Sequence, residues 1–509
     1  MEFESTTFTY QARLNLTPEQ DEILESYANL MSKIERKLFS EIMAGKKSSD
    51  MKSIFLKHFG ITARQFNACR IQLEGKMASI KERQEGLIEG TTLSIKNLEK
   101  KIKQLEKNKT KKLLIHQKKR RLCHLKNKLK NQIEDQKSGR IRLCFGSKKL
   151  FHAQYALEAN GFKSHQEWQN EWRRSRNDSF FLVGSKDEIS GNQSCTATLQ
   201  ENGIKLRIRL PDVLQCGKYL EINQIIFKYG HKAIEESLYN CNERNALLKN
   251  NNPSYKEFGQ ALSYRFKRDE KGWRIFVSTD LKKLPTITLE HTGAIGIDIN
   301  ANHIALTETD RFGNPVKSKV LALNCYGKNK DQSQALIGDK VVEIVNWAIE
   351  SKKPLVIEKL NFQNKKTELK ESGNPKYARM LSSLAYSTFI KTIKSRAWRF
   401  GVKVIEVNPA YTSLIGRIKF AKLYGLSIHQ AAALCIARRN QKASERVPSR
   451  MDKIPDGKGG HVALPPPVRK RGKHVWTQWR QIHKKFSVVL AAHFRVKKKR
   501  SSSRPTPAC

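Results

Sequence analysis

The sequence predicts an α+β protein of several domains: a helical lobe, a small β-barrel or sheet, and a C-terminal α/β domain. Three observations point there. The chain has 509 residues and is 39% hydrophobic, enough to bury more than one core. Strict period-two alternation is concentrated in two hairpin-like stretches between residues 195 and 280. Beyond Leu284, short apolar strands begin to alternate with helical segments.

At the N-terminus, TFTYQARLNL reads as a strand. Thr17-Pro18-Glu19-Gln20 then opens a helix, with a hydroxyl to cap it, proline at the first helical position and a glutamine to return the bond. From Thr92 to about Lys130, Ile95, Leu98, Ile102 and Leu105, and then Leu122, Leu125 and Leu129 beyond the polar break KNKT, predict two antiparallel helices. A solvated coiled-coil arm accounts for the helices alone. The surplus of cations in KKRRLCHLKNKLKNQ turns the outer face toward phosphates, of DNA or of RNA. Residues 140–190 mix aromatics with cations, and Trp168 and Trp172, one helical turn apart, are read as core packing ahead of base stacking. CTATLQENGIKLRIRLP and ALSYRFKRDEKGWRIFVSTD form hairpins, turning at Asn202-Gly203 and around Glu270 to Gly272, and the first strand is expected to join their sheet.

In the C-terminal part, AIGIDIN, HIALTET and PVKSKVLAL make three strands joined by tight turns. A helix follows around Asp339 to Ile349, then the strand PLVIE and an amphipathic helix with Leu381, Leu384, Ala385, Phe389 and Ile393 on one face. The strand VKVIEVN and the helix SIHQAAALCIARR close the unit. This is the element order of an RNase H-like domain, in which acids from separate elements meet at the centre of the sheet. Asp298 interrupts the apolar first strand, and Glu358 ends the fourth. A carboxylate in a buried strand is costly unless a cation, a partner or a proton compensates it. Two converging carboxylates suit Mg²⁺ or Mn²⁺, and paired metals activate water and stabilise the leaving oxygen of a phosphodiester. Either acid alone is accounted for by a turn cap or a lysine neighbour, Lys359 for Glu358; the two together favour metal.

Ninety-six Lys and Arg against 48 Asp and Glu give a net charge of +48 and a pI near 10.0. A compact chain so charged repels itself unless a polyanion neutralises it, so nucleic acid is the leading partner and an anionic membrane the weaker alternative. No stretch approaches the roughly 20 apolar residues of a membrane helix, and MEFESTTFTY lacks the features of a secretory signal, so a cytoplasmic protein with no membrane partner is expected. The nine scattered cysteines include no CxxC pair; reduced, mostly buried thiols are expected, and no zinc. The tail is rich in Pro, Gly and basic residues and carries one helical stretch, VWTQWRQIHKKFSVVLAAHF. Its last dozen residues are expected to be disordered.

The segments GIDIN, VIEKLNF, VIEVNPAYTS and HQAAALCIARR resemble, in order, the motifs of the TnpB (OrfB) family of insertion-sequence RNA-guided nucleases, relatives of the type V CRISPR effectors. The resemblance covers residues 290–440 well and the N-terminal half in general layout, and NPAYTS is its most specific piece. It implies a RuvC-like nuclease domain over 285–440, with Asp298 and Glu358 as the first and second catalytic acids holding Mg²⁺ or Mn²⁺. It also implies a guide RNA and a target DNA, a helical recognition lobe over 17–190 containing the basic hairpin 92–130, and a β-barrel wedge from 1–16 and 191–284. A basic extension, 441–509, partly disordered, completes the layout, in a prokaryotic cytoplasm near the nucleoid; the oligomeric state stays open.

Members of that family follow their TS with a zinc ribbon and then a third acid. Here TSLIGRIKFAKLYGLSIHQAAALCIARR has no ribbon, and His429 stands at the third acid's position. His429 is open to three readings: a metal ligand, since imidazole coordinates manganese and, poorly, magnesium; a change that disables the site; or a structural histidine. Coordination is favoured slightly, because Asp298 and Glu358 are both intact. Glu406 is a reserve carboxylate, and Tyr411 and Thr412 suit a helix-capping turn and a phosphate contact equally. Three functions compete: an RNA-guided DNA endonuclease encoded by a mobile element; a guided protein that occupies DNA without cutting, as a repressor or targeting factor, which His429 and the missing ribbon favour; and a strand-transfer transposase, which would need a third carboxylate and no RNA.

Overall fold

The computed structural model describes residues 5–108, 112–300, 302–325, 327–359, 383–457, 459–468 and 472–502. Its contacts divide the chain into two units, Met1–Lys282 and Lys283–Cys509. In the first, strand β1 (Ser5–Arg13) leads to α1 (Pro18–Met43). The amide of Gln20 donates to Thr17 Oγ1 at 3.2 Å and the amide of Thr17 donates to Gln20 Oε1 at 3.0 Å, the reciprocal cap expected from the sequence. Helix α2 (Ser48–Phe59) follows, then α3 (Ala63–Lys107) and α4 (Lys112–Lys137). The long helix thus starts at Ala63, well before Thr92. A second reciprocal cap, Thr62 with Gln65, opens it, and the Thr92 hydroxyl merely bonds back to Ile88 O at 2.9 Å inside it. Ion pairs of Glu106 with Lys119 (2.8 Å) and Glu99 with Lys126 (3.1 Å) fix α3 and α4 as antiparallel. Ile95, Leu98 and Ile102 are buried, whereas α4 has no buried residue and keeps its cations at the surface.

Next come α5 (Lys148–Ala153) and α6 (His165–Arg176), where Trp168 is buried and donates Nε1–H to Leu150 O at 2.7 Å, a core role rather than a stacking platform. The strands β2 (Ser179–Leu182), β3 (Cys195–Gln200), β4 (Gly203–Arg209), β5 (Tyr219–Ile225), β6 (Leu262–Asp269) and β7 (Gly272–Lys282), with α7 (His231–Lys249) between β5 and β6, complete the unit. They form two sheets, β1-β7-β6-β2 and β3-β4-β5, where a small β-barrel or sheet was expected. β1 does join the second hairpin, through β7. β2, in a stretch expected to be helical, pairs with β6. Both sheets share one core with α1 to α3, in which Tyr27 stacks on Phe180 at 4.4 Å and Phe180 on Phe266 at 4.7 Å.

The second unit is built on β8 (Ile295–Ile299), β9 (His303–Thr309), β10 (Pro315–Ala322), β11 (Leu355–Glu358) and β12 (Val404–Val407). Their order is β10-β9-β8-β11-β12, with β10, β9 and β8 antiparallel in turn and β8, β11 and β12 parallel. This is the RNase H-like arrangement that the element order predicted. Helices α8 (Lys330–Ser351) and α9 (Ser383–Arg399) cover one face, burying Ile344, Val345, Phe389 and Ile393 against Ile295, Ile297, Leu355 and Ile357. The expected contact residue Leu381 lies outside the described residues. Cover on both faces explains why the central strands read as continuous apolar runs rather than alternating ones.

The segment 412–424, which sequence periodicity left unplaced, is helical: α10 (Thr412–Ile415), a π-turn at Gly416–Phe420 and α11 (Ala421–Tyr424). Helix α12 (Ile428–Asn440), capped reciprocally by Ser427 and Gln430, lies on the other face of the sheet, where Ile436 and Ala437 meet Val356 and Val407. Its small residues bring its backbone close. A Cβ on Gly296 would stand 1.9 Å from Ala433 O and 2.8 Å from Ala437 N, so any larger residue forces the helix away from β8. Gly296→Ala is expected to destabilise this unit by about 1–3 kcal/mol, the usual cost of overpacking, read as a lower urea midpoint.

The basic extension is not simply a loose tail. A short hairpin, β13 (Ile454–Pro455) with β14 (His461–Val462), and α13 (Trp476–Ser502) pack Met451, Ile454, Val462, Trp479, Ile482 and Phe486 into one cluster with α10 to α12. The helix runs into the last dozen residues. Among the described residues eight cysteines are free; Cys69, Cys195, Cys241 and Cys435 are buried, while Cys123 and Cys216 are exposed. No single described helix is long and apolar enough to cross a membrane.

Candidate functional site

Ile295 pairs with Leu355 and Gly296 with Val356, and each of the two acids picked out in the sequence lies two residues further along its strand, Asp298 on β8 and Glu358 on β11. Side chains alternate along a strand, and Gly296 and Val356 face α12; Asp298 and Glu358 therefore face it too, from neighbouring strands. Asp298 is 7% exposed. Its Oδ2 accepts a hydrogen bond from Asn300 Nδ2 at 2.8 Å and lies 3.1 Å from His429 Nδ1. His429 is in the first turn of α12, whose positive end favours a negative charge at Asp298.

His429 thus meets Asp298 directly. Where Asp298 is the acceptor in this contact, Nδ1 is the donor and Nε2 is the nitrogen left to meet a ligand. His303, at the start of β9, packs edge-on against His429 with ring centroids 4.5 Å apart and has Asn302 Oδ1 at 2.7 Å from its Nδ1. Burial, reinforced by His429 and opposed by Asp298, holds His303 below the ordinary imidazole range. Nothing in the local sequence pointed to His303. Tyr386 of α9 donates to Ile299 O at 2.7 Å and anchors the end of β8.

Glu358 accepts a hydrogen bond from the hydroxyl of Thr412, which is 1% exposed. Thr412 therefore neither caps α10 with its side chain nor stands open to a phosphate. Tyr411, in the left-handed region at φ 62°, occupies the capping position without a side-chain bond, and its ring meets Trp476 and His483. The reserve carboxylate is excluded by one residue of register: Glu358 pairs with Val407 and Ile357 with Glu406, so Glu406 faces the α8/α9 side, where Lys394 binds it at 2.6 Å.

No protein-family model and no curated protein matches the chain. Among solved structures it resembles a Cas12f1 in complex with single-guide RNA and target DNA, at TM-score 0.34 and 13% identity over 85% of this chain and 99% of that one. A T. thermophilus RuvC in complex with a Holliday junction matches at TM-score 0.21 and 15% identity, over 29% of this chain and 90% of that one. A Cas12i1 R-loop complex matches at TM-score 0.27 and 9% identity, over 72% and 61%. With every TM-score here below 0.5, none of these likenesses bears on the chemistry.

Two carboxylates on one face of neighbouring strands suit a hard divalent cation by donor chemistry. The third expected ligand is set differently: His429 is turned onto Asp298 Oδ2, and among the described residues no group of three or more His, Cys, Asp and Glu is arranged to hold a metal.

Proposed function

We propose that this chain is a metal-dependent nuclease and, more finely, an RNA-guided DNA endonuclease encoded by a mobile element. The observation that carries this reading is the parallel pairing of β8 with β11, which supports placing Asp298 and Glu358, two residues beyond the paired positions, on the same α12-facing side of the sheet. A divalent cation bound there supplies charge neutralisation at a phosphodiester and an activated water. Asp298 and Glu358 would hold it. Asn300 and His429 keep the Asp298 carboxylate oriented toward the site, and Thr412 does the same for Glu358. The net charge of +48 and the cation-studded α3/α4 hairpin support a nucleic-acid partner, and the motif resemblance supports a guide. In the family's division of labour, base pairing supplies specificity while the protein holds the backbone. The test is to express the chain with its native flanking DNA and sequence the RNA that copurifies. The loaded protein is then given plasmid targets with randomised flanks, in Mn²⁺ or Mg²⁺ and in EDTA. One defined RNA and metal-dependent cutting of matched targets are expected; absence of any defined RNA rejects guidance.

A guided protein that binds DNA without cutting is the second reading, favoured by a histidine in contact with Asp298 where a third acid would stand. His429→Asp separates the two. If the wild type cuts, this change should slow it by about 10-fold or more, because a second carboxylate then faces Asp298 in place of a donor. If the wild type is silent and His429→Asp cuts, the binding reading holds.

A further inference from the structure

We propose that Thr412 is a positioning residue whose hydroxyl fixes the Glu358 carboxylate on the Asp298 side of the sheet. This rests on the reading of Asp298 and Glu358 as a metal-holding pair. Glu358 is the last residue of its strand and only partly buried, so its side chain has rotamers that lead away from Asp298. Backbone pairing ends at Glu358 and Val407, where Lys359 N donates to Val407 O at 2.8 Å, and the chain beyond Val407 then turns. The turn is tightly specified. Asn408 Oδ1 accepts the amide of Ala410 at 2.9 Å, and Tyr411 takes the left-handed conformation that delivers the next residue inward. Thr412 arrives buried, with its hydroxyl on Glu358 Oε1.

The turn is also clamped from behind. Arg439, at the end of α12, donates to the carbonyls of Asn408 and Ala410. Its Nε bonds Glu445 Oε1 at 2.6 Å, and Glu445 Oε2 accepts Trp476 Nε1–H at 2.7 Å. The side chains of Arg439 and Glu445 are 10% and 16% exposed, so this chain of charge-assisted bonds is shielded from water. A loop held this firmly gives its one inward hydroxyl a defined aim. That accounts for the most specific stretch of the sequence, NPAYTS, whose role the fold alone leaves unexplained: asparagine makes the turn, tyrosine takes the strained conformation and threonine reaches the acid.

The competing account is that the hydroxyl serves only Pro409 O, which lies 3.1 Å away, and so holds the turn together. Binding of Mn²⁺ to the full chain, followed by electron paramagnetic resonance and counted as the component lost in Asp298→Ala, separates the two. Thr412→Val keeps the shape and removes the hydroxyl; it should weaken that component by about 10–100-fold, the usual consequence of losing a partner behind a ligand. Thr412→Ser should restore it to within a few-fold of wild type. A Thr412→Val protein that melts lower yet binds Mn²⁺ as wild type does, or a Thr412→Ser protein that loses as much as Thr412→Val, overturns the positioning role alone. A wild type with no Asp298-dependent Mn²⁺ component overturns the nuclease reading, and the inference with it.

Discussion

Asp298→Ala is expected to abolish cleavage, by more than the ~100-fold that loss of a mere supporting partner costs, while guide-dependent DNA binding stays close to wild type. The two effects separate because they draw on different parts of the chain. Binding draws on the summed positive charge, to which one carboxylate in a chain of net charge +48 contributes little. Cleavage needs negative oxygen atoms at one point under α12, and Asp298 supplies them from a strand position otherwise flanked by Ile297 and Ile299. Stability should hardly suffer. The change removes a buried charge, and the partners it leaves, Asn300 and a half-exposed His429, can turn to water. Plasmid nicking and filter binding over a salt series, on the same preparations, check both halves. Normal cutting by Asp298→Ala would remove the site from this sheet altogether, and loss of binding in parallel with cutting would mean that the carboxylate supports the fold rather than the chemistry.

Much of that site was legible because buried charge is rare enough to be a signal on its own. Asp298 stood out inside an apolar run, Glu358 at the end of another, and the strand HIALTET was read with the bounds the structure has, His303–Thr309. What local pattern could not supply was register and long-range contact. Glu406 stood in reserve behind Glu358, and only the pairing of Glu358 with Val407 shows that it lies on the opposite face. His303 is an ordinary strand residue until α12, far along the chain, delivers His429 beside it. Thr412 was noticed for its place in NPAYTS, but its partner lies on another strand. Other misses did have a local signal. Thr62 and Gln65 form the same spaced pair as Thr17 and Gln20, and they mark the true start of the long helix. In the tail, the helical stretch VWTQWRQIHKKFSVVLAAHF was read as a helix, but the recurrence of Trp479, Ile482 and Phe486 along it was not read as a face that packs into the core.

That tail bears the other large expected effect: Trp479→Ala should destabilise the second unit by about 3–5 kcal/mol, or roughly 6–20 °C in melting temperature. Trp479 has no exposed surface, donates Nε1–H to Glu445 O at 2.8 Å, and sits in the cluster that joins Ile482 and Phe486 to Leu414, Ile415 and Phe420. Removing the indole leaves a cavity and an unpaired carbonyl at once, a large fraction of the stability of an ordinary domain. Val488→Ala, on the exposed side of the same helix, should stay within about 0.5 kcal/mol. The functional consequence follows from the clamp. Trp476 lies on the same helix and holds Glu445, which holds Arg439, which holds the carbonyls of Asn408 and Ala410 just before Thr412. Loosening α13 therefore reaches Glu358 without touching it, and Trp479→Ala should lose Mn²⁺ affinity at temperatures well below its own melting point. A variant that melts as wild type does would mean that α13 rests on the unit without being part of its core. One that melts early but keeps full Mn²⁺ affinity until it unfolds would mean that the loop before Thr412 is held by its own turn, and that the clamp serves the fold alone.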